Sequence, residues 1–310
     1  MKYITSKEAA LRWNLADRTV RHYCEQGRIP NAFLEDGTWY LPARSSKPDR
    51  VIPETPLLPP LVKKLLKQYT RQYYHGLYDY LQINMVYSNN RMASNRLTRN
   101  QVEMLYKYDK IATHNEAIKI NDIIETRNHF LCVHHVLANA AKPLTQAFLL
   151  EIQELLVSPH CSHKRKAPRP IGYRTSETVT TLGFGTTPED ISAELNRLFT
   201  EYEKKTTFAL EDILDLHVRF ERIRPFEDCN GRIGRLLMLK ECLRHEITPF
   251  VIDDKRRVNY LKGLRYWDED ESVLTAVCTE AQIRFAAQIE LQKLAEHRMI
   301  IVEKTMKQPL

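Results

Sequence analysis

Apolar positions recur at helical spacing over most of this chain, and alternation at a spacing of two is confined to short stretches. The run DIIETRNHFLCVHHVLANA carries Ile123, Ile124, Phe130, Leu131 and Val133 as one helical core stripe. The same patterning predicts helices over about 61–84, 98–110 and 112–140, and another from PLTQAFLLEIQELL with Thr145 as its N-cap. Further helices are expected from about Pro188 to Glu203, from about Ala209 to Arg222, and from about Asn230 through GRIGRLLMLKECLRH. YRTSETVTTLGFGTTPED alternates with β-branched residues and predicts a short hairpin. The polar, basic stretch 158–170, with its HKRK cluster, reads as a solvated loop, and no repeat is visible at a period of 20–50 residues. The fold class is therefore mainly α.

Residues 1–47 read as a separate unit. Thr5-Ser6-Lys7-Glu8 is a capping-box pattern, and Ala9, Ala10, Leu11 and Trp13 give the helix after it an apolar face. Asn14 and Leu15 lead into a tight turn. A second helix is expected from about Asp17 to Gln26, with Gly27 as its C-cap. Asp36-Gly37 is a hairpin turn dipeptide between strand-like flanks from Ile29 to Leu41. Helix, turn, helix and β-wing make a winged helix-turn-helix. Arg18, Arg21 and His22 share one face of its second helix, which suits DNA recognition in a major groove. The stretch ITSKEAALRWNLADRTVRHYCEQGRIPNAFLEDGTWYLP resembles the excisionase and MerR-type domains of bacterial and phage regulators, which implies DNA as the partner of residues 1–47.

Composition changes this picture little. The chain has 310 residues, 43% hydrophobic and 27% charged, as a soluble globular protein has. A formal charge of +7 permits polyanion contact without requiring it. Six cysteines without a CxxC pair argue against a zinc ribbon or a disulfide framework and fit a reducing cytosol. No apolar h-region opens the chain and no 18-residue apolar run crosses it, so a cytoplasmic protein without a membrane partner is expected. Five prolines in residues 48–60 mark a linker, residues 61–120 form a first set of helices, and residues 296–310 form a C-terminal tail.

The segment HVRFERIRPFEDCNGRIGR, from His217 to Arg235, carries the chemistry. A helix ending near Arg222 gives way to a loop, and a new helix opens at Asn230, Gly231 and Arg232. Free N–H groups and the positive dipole end there suit an anion. Arg232 and Arg235 are three apart and project to one side, and Asp228 is placed to hold a divalent cation against phosphates. The reading is a polyphosphate site.

The same segment resembles the Fic-family signature HPFxDGNGRxxR, and FERI, GRIGRLL and PFVIDD extend the likeness over most of residues 60–290, with residues 121–295 as the Fic-like domain. The resemblance implies an all-helical core with a small hairpin flap. It implies ATP and Mg2+ as cofactors, with Asn230, Gly231, Arg232 and Arg235 on the phosphates and Asp228 on magnesium. It further implies AMP transfer to a Ser, Thr or Tyr hydroxyl of a target protein, aligned by the flap at residues 179–184. Asn259 and Tyr260, in NYLKGLRYWDED, match the adenine side, although Tyr260 reads equally as core.

Two positions of the signature depart from it. Arg224 stands where the family has its catalytic histidine, and a guanidinium cannot accept a hydroxyl proton. Loss of a general base removes roughly 10²–10⁴-fold in rate. Cys229 replaces a glycine and is expected to disturb the turn or intrude on the phosphate cradle. His217, seven residues upstream of Arg224, reads as a helix residue with a hydrogen-bond partner rather than a replacement base, and nothing in the sequence makes Cys229 a nucleophile. Upstream, SNNRMASNRLT (Ser88 to Thr98) resembles the family's inhibitory motif SSNRIEGNRLT, with Ala93 at the inhibitory glutamate, Ser94 at the glycine, and Ser88 and Asn95 matching. Ala93 cannot pair with Arg235, which is therefore expected to be free of that inhibitory ion pair. The leading reading is a nucleotide-binding and DNA-binding regulator with impaired catalysis. The alternatives are an active AMP-transferase and a homodimerisation scaffold for the DNA-binding head.

Overall fold

Residues 2–25, 27–48, 57–113, 117–158, 171–180 and 182–306 are described by the computed structural model, in two units, Met1–Thr55 and Pro56–Leu310. In the first, the capping box forms as patterned. Thr5 Oγ1 accepts from the Glu8 N–H at 3.2 Å and the Glu8 carboxylate accepts from the Thr5 N–H at 2.7 Å, opening α1 (Ser6–Trp13). Asn14 turns the chain with φ 53°, and α2 (Asp17–Glu25) follows. Gly27, at φ 66°, ends it, with Arg28 N–H on the Tyr23 carbonyl at 2.9 Å. Gln26 lies outside the described residues.

Asp36 and Gly37 both take positive φ between β2 (Phe33–Glu35) and β3 (Thr38–Pro42), the conformation that an Asp-Gly hairpin turn needs. A third strand, β1 (Tyr3–Thr5), was not anticipated, because three residues are too few to show alternation. It pairs antiparallel with β3, Thr5 opposite Tyr40, so the sheet runs β1-β3-β2. Ala9, Ala10, Val20, Cys24, Ile29 and Leu41 form this unit's core.

The second unit is helical except for one small hairpin. The expected helix over 61–84 is two, α3 (Pro60–Thr70) and α4 (Leu77–Met92). Between them Gln72 and His75 take positive φ, and Gln68 Oε1 accepts from the Tyr78 N–H at 2.9 Å. A Cβ on Gly76 at this break would lie 2.7 Å from Gln68 Oε1, so that side chain would have to shift. Then come α5 (Arg99–Tyr108), α6 (Ile120–Ala138) and α7 (Gln146–Val157), α6 starting later than the expected 112. Thr145 caps α7 as expected, accepting from the Phe148 N–H at 3.1 Å. The HKRK cluster lies outside the described residues. A hairpin of β4 (Val179–Thr180) and β5 (Gly183–Phe184) precedes α8 (Ile191–Glu203), α9 (Leu210–Ile223) and α10 (Asn230–Arg244). After α11 (Arg257–Arg265), α12 runs from Ser272 to Met306, so the expected tail at 296 continues a helix.

α10 explains why the unit holds together. Ile233, Leu236, Leu237 and Leu243 face one core, shared with α4, α6, α7 and α8. Met238 and Cys242 face a second, shared with α9, α11 and α12. A helix apolar on both sides is buried, and its polar residues must find partners inside the protein. Lys240 does so on Glu241 at 2.8 Å, both fully buried. No helix of the described residues is long and apolar enough to cross a membrane.

Candidate functional site

At the amino end of the buried helix α10 a cavity of about 270 Å³ opens. Its wall joins Arg224 at the end of α9, Asp228 to Arg232 at the start of α10, Arg235 one turn further, Met92 and Ala93 from the end of α4, Leu182 beside the hairpin, and Arg257, Tyr260, Leu261 and Leu264 from α11. Residues far apart in sequence are thereby brought onto one anion-attracting surface. The amides of Asn230, Gly231 and Arg232 precede the first intrahelical bond, which runs from the Ile233 N–H to the Cys229 carbonyl at 2.9 Å.

The loop before α10 is built by Asn230 and Cys229. Asn230 is buried, and its side chain spans the loop, Oδ1 accepting from the Phe226 N–H at 3.0 Å and Nδ2 donating to the Phe226 carbonyl at 2.7 Å. Its amide group therefore shapes the loop, and only its backbone N–H remains for a ligand. Cys229 keeps the left-handed conformation a glycine would take, φ 73°, at an intrinsic cost on the order of 1–2 kcal/mol. Cys229 is one of the residues lining the cavity. It is buried in the core, with Arg232 Nη2 at 3.0 Å from Sγ. The Cys229 N–H donates to Asp228 Oδ1 at 2.6 Å, and the Asp228 side chain is 53% exposed at the cavity.

Neither motif arginine is idle. Arg232 is buried and pairs with Glu125 of α6 at 3.0 Å, with Asp228 Oδ2 at 3.6 Å. Burial alone would lower its pKa, but Cys229, Glu125 and Asp228 together hold it up. Arg235 has an alanine rather than a glutamate at position 93 and is held by uncharged groups. Its Nε donates to Asn89 Oδ1, its Nη2 to the Asn89 carbonyl and its Nη1 to the Tyr260 hydroxyl, the last two at 3.4 Å. Asn89 is in turn fixed by His129, whose Nε2 lies 3.0 Å from Asn89 Nδ2 and whose Nδ1 lies 2.8 Å from Asn90 Oδ1. An amide oxygen only accepts and an amide nitrogen only donates, so His129 is neutral with its proton on Nδ1.

Arg224 also adopts a left-handed conformation, φ 50°, as the C-cap of α9. Its Nε is buried without a partner among the described residues, and Arg174 holds its backbone in place. The buried Arg174 guanidinium donates to the carbonyls of Arg224 and Ser176, each at 2.7 Å, and to that of Thr186, while the Arg174 N–H reaches the Pro225 carbonyl at 2.9 Å. One side chain thus ties the base of the hairpin to position 224. On the hairpin, Val179 and Phe184 are exposed.

His217 is fully buried, with Nε2 2.6 Å from the Tyr260 hydroxyl, and burial, then Arg235, lowers its pKa to about 3. It lies behind the cavity wall and is not placed as a replacement base. Tyr260 both closes the wall and packs in the core. Asn259 is exposed and away from the cavity, because 257, 261 and 264 share the helical face that turns inward. Of the upstream motif, Ala93 reaches the cavity, while Ser94 (φ 70°) and the buried Asn95, bonded to the Asp122 carbonyl at 2.9 Å, form the turn after α4, and Ser88 is buried within it. In the first unit, Arg18, Arg21 and His22 are exposed on α2, with Arg21 paired to Asp17 at 3.1 Å and His22 to Glu25 at 3.7 Å.

Sequence reasoning passed over Glu125, Asn89, Glu221, Arg174 and Arg257. A glutamate inside an apolar stripe was a usable signal for Glu125, and helical spacing from Arg224 was one for Glu221.

Residues 143–242 match the Fic/DOC family model. Over 183 residues the chain is 22% identical to the protein adenylyltransferase Fic of Nematostella vectensis, covering 58% of this chain and 42% of that relative's length. A Fic domain containing signaling protein from Bacteroides thetaiotaomicron superposes with a TM-score of 0.59 at 22% identity, over 75% of this chain and 96% of that one. Fic-1 from C. elegans gives 0.58 at 17% identity, over 75% and 67%. At these identities the structural likeness is one of fold. The matched stretch takes in α9, α10 and the loop between them, so residues 143–242 carry the likeness to a Fic/DOC domain.

Proposed function

We propose that the cavity at the start of α10 binds a nucleotide by its phosphates, and that AMP transfer to a protein hydroxyl from this site is impaired because position 224 has no base. The observation that supports this most is the convergence of Arg224, Asp228, Gly231, Arg232 and Arg235 on one wall. Arg224 cannot take a proton from a hydroxyl, but its charge favours a bound phosphate. Asp228 would hold magnesium. Its carboxylate is an oxygen donor with open access to the cavity, and phosphate oxygens and water would complete the shell. Magnesium supplies charge neutralisation of the phosphates when bound. The described residues hold no group of three or more His, Cys, Asp or Glu fit for a metal, which suits an ion carried mainly by its ligand.

A target segment would add to the free edge of the hairpin at 179–184. Residues 1–47 would bind DNA through Arg18, Arg21 and His22, which are exposed on one helix beside a hairpin, and the cytoplasm is the compartment this reading calls for. Labelled ATP with magnesium tests the first part, comparing the chain with Arg224→His and with Arg224→His/Cys229→Gly. Labelling by the revertants and not by the parent is expected. Strong labelling by the parent would make it an active transferase. For the head, Arg18→Ala/Arg21→Ala should abolish DNA affinity, and unchanged affinity would overturn that part.

A further inference from the structure

Beneath the first turn of α10 lies a buried carboxylate with one oxygen unpartnered among the described residues. Glu221, on α9 just ahead of Arg224, is 4% exposed, lines the cavity, and its Oε1 has no hydrogen-bond partner among the described residues. It sits against α10 where two glycines make room. Its Oε1 is 3.5 Å from the point a Cβ on Gly231 would occupy and 3.1 Å from that on Gly234. Arg235 Nη1 is 3.1 Å from the same Gly231 point. The charged and titratable groups around Glu221 are Arg224 and neutral His217 on its own helix, Arg235 from α10 and the Tyr260 hydroxyl from α11. Among the described residues, no cation closes an ion pair with it within 4 Å.

A negative charge here already occupies the field of the helix end and of Arg235. A phosphate entering the cavity would place a second anion beside it. Two anions in a partly desolvated site repel, and protonation of the carboxyl removes the conflict. Burial, opposed by Arg235 and then Arg224, raises the pKa of Glu221, in keeping with that exchange.

We propose that Glu221 is a resident anion beneath the first turn of α10, and that a phosphate-bearing ligand enters this cavity together with one proton, taken from solvent onto the Glu221 carboxyl. The inference rests on the nucleotide-binding reading. One O–H bond forms on the carboxylate as the ligand binds and breaks as it leaves, and no other bond changes.

Calorimetry on the full chain tests it, with ADP and inorganic pyrophosphate as probes in two buffers of different ionisation enthalpy. Wild type should take up close to one proton more per ligand than Glu221→Gln. Its affinity should fall relative to the variant by up to about tenfold per unit rise in pH. Titration of the ligand's own phosphate appears in both proteins and cancels. Equal proton uptake in the two proteins overturns the inference while leaving nucleotide binding intact. Absence of heat with either probe in either protein overturns both. If Glu221→Gln does not fold, an infrared difference spectrum of wild type on adding pyrophosphate decides. A new carboxylic acid band is expected, and its absence refutes the proposal.

Discussion

Arg232 Nη1 and the Glu125 carboxylate meet at 3.0 Å between α10 and α6, with side chains only 3% and 10% exposed. The motif arginine expected to reach a phosphate is thus part of a wall, and its charge is balanced before any ligand arrives. Breaking a buried pair from one side leaves the other charge uncompensated, which costs roughly 3–5 kcal/mol. Glu125→Ala should lower the urea midpoint by a corresponding amount. Pyrophosphate should then raise the melting temperature of the variant more than that of wild type, because phosphate supplies the missing counter-charge. An equal or smaller rise would mean that Arg232 does not face the ligand.

Gly234 lets α9 and α10 approach each other at the site. A Cβ there would stand 2.6 Å from His217 Cε1 and 2.7 Å from its Nδ1, both on a fully buried ring. Gly234→Ala should destabilise by about 1–3 kcal/mol through overpacking. Adding His217→Ala should recover part of the loss in a double-mutant cycle. Full additivity of the two changes would show that the ring is not what the Cβ meets.

Ser94 and Cys229 both hold left-handed backbone, φ 70° and 73°, yet glycine should act differently at each. Ser94 is exposed, so Ser94→Gly should stabilise by about 0.5–1 kcal/mol, the relief of the strained φ less the added entropy of the unfolded chain. Cys229 buries its thiol against Arg232, so Cys229→Gly also deletes packing and should bring no net gain. Chemical denaturation of both variants checks the contrast, and an equal gain at the two positions would contradict it.

The buried histidines predict acid sensitivity. Burial lowers the pKa of His217 to about 3 and that of His129 well below its ordinary 6.5, so the unfolded chain binds protons that the native state refuses. Their contribution to stability is complete above pH 6.5 and is lost as pH falls below it, by at most about 1.4 kcal/mol per unit for each histidine. Glu221 works the other way, since a raised carboxyl pKa loses stability as pH rises past 4.5. Urea midpoints at pH 7 and pH 5 in Glu221→Gln therefore isolate the histidines, and a flat profile would count against their burial in the neutral form.

Much of this protein was legible in one dimension because its physics is local. The Thr5–Glu8 capping box, the Asp36-Gly37 turn, the Thr145 cap and the helix start at Asn230 each depend on a few neighbouring residues, so pattern and spacing sufficed. That the segment from Arg224 to Arg235 forms a loop running into a helix was legible for the same reason. The break before Gly76 escaped notice because it depends on Gln68 reaching across to Tyr78, and β1 because its partner lies in a hairpin 35 residues on.

Which partners the two motif arginines find was settled by tertiary contacts. Arg232 meets Glu125 across 107 positions, and Arg235 meets Asn89 across 146. The sequence could say that two arginines share a helix face. Only the packed structure shows that both already have partners, because burying a charge forces it to find one, and that partner can come from anywhere in the chain.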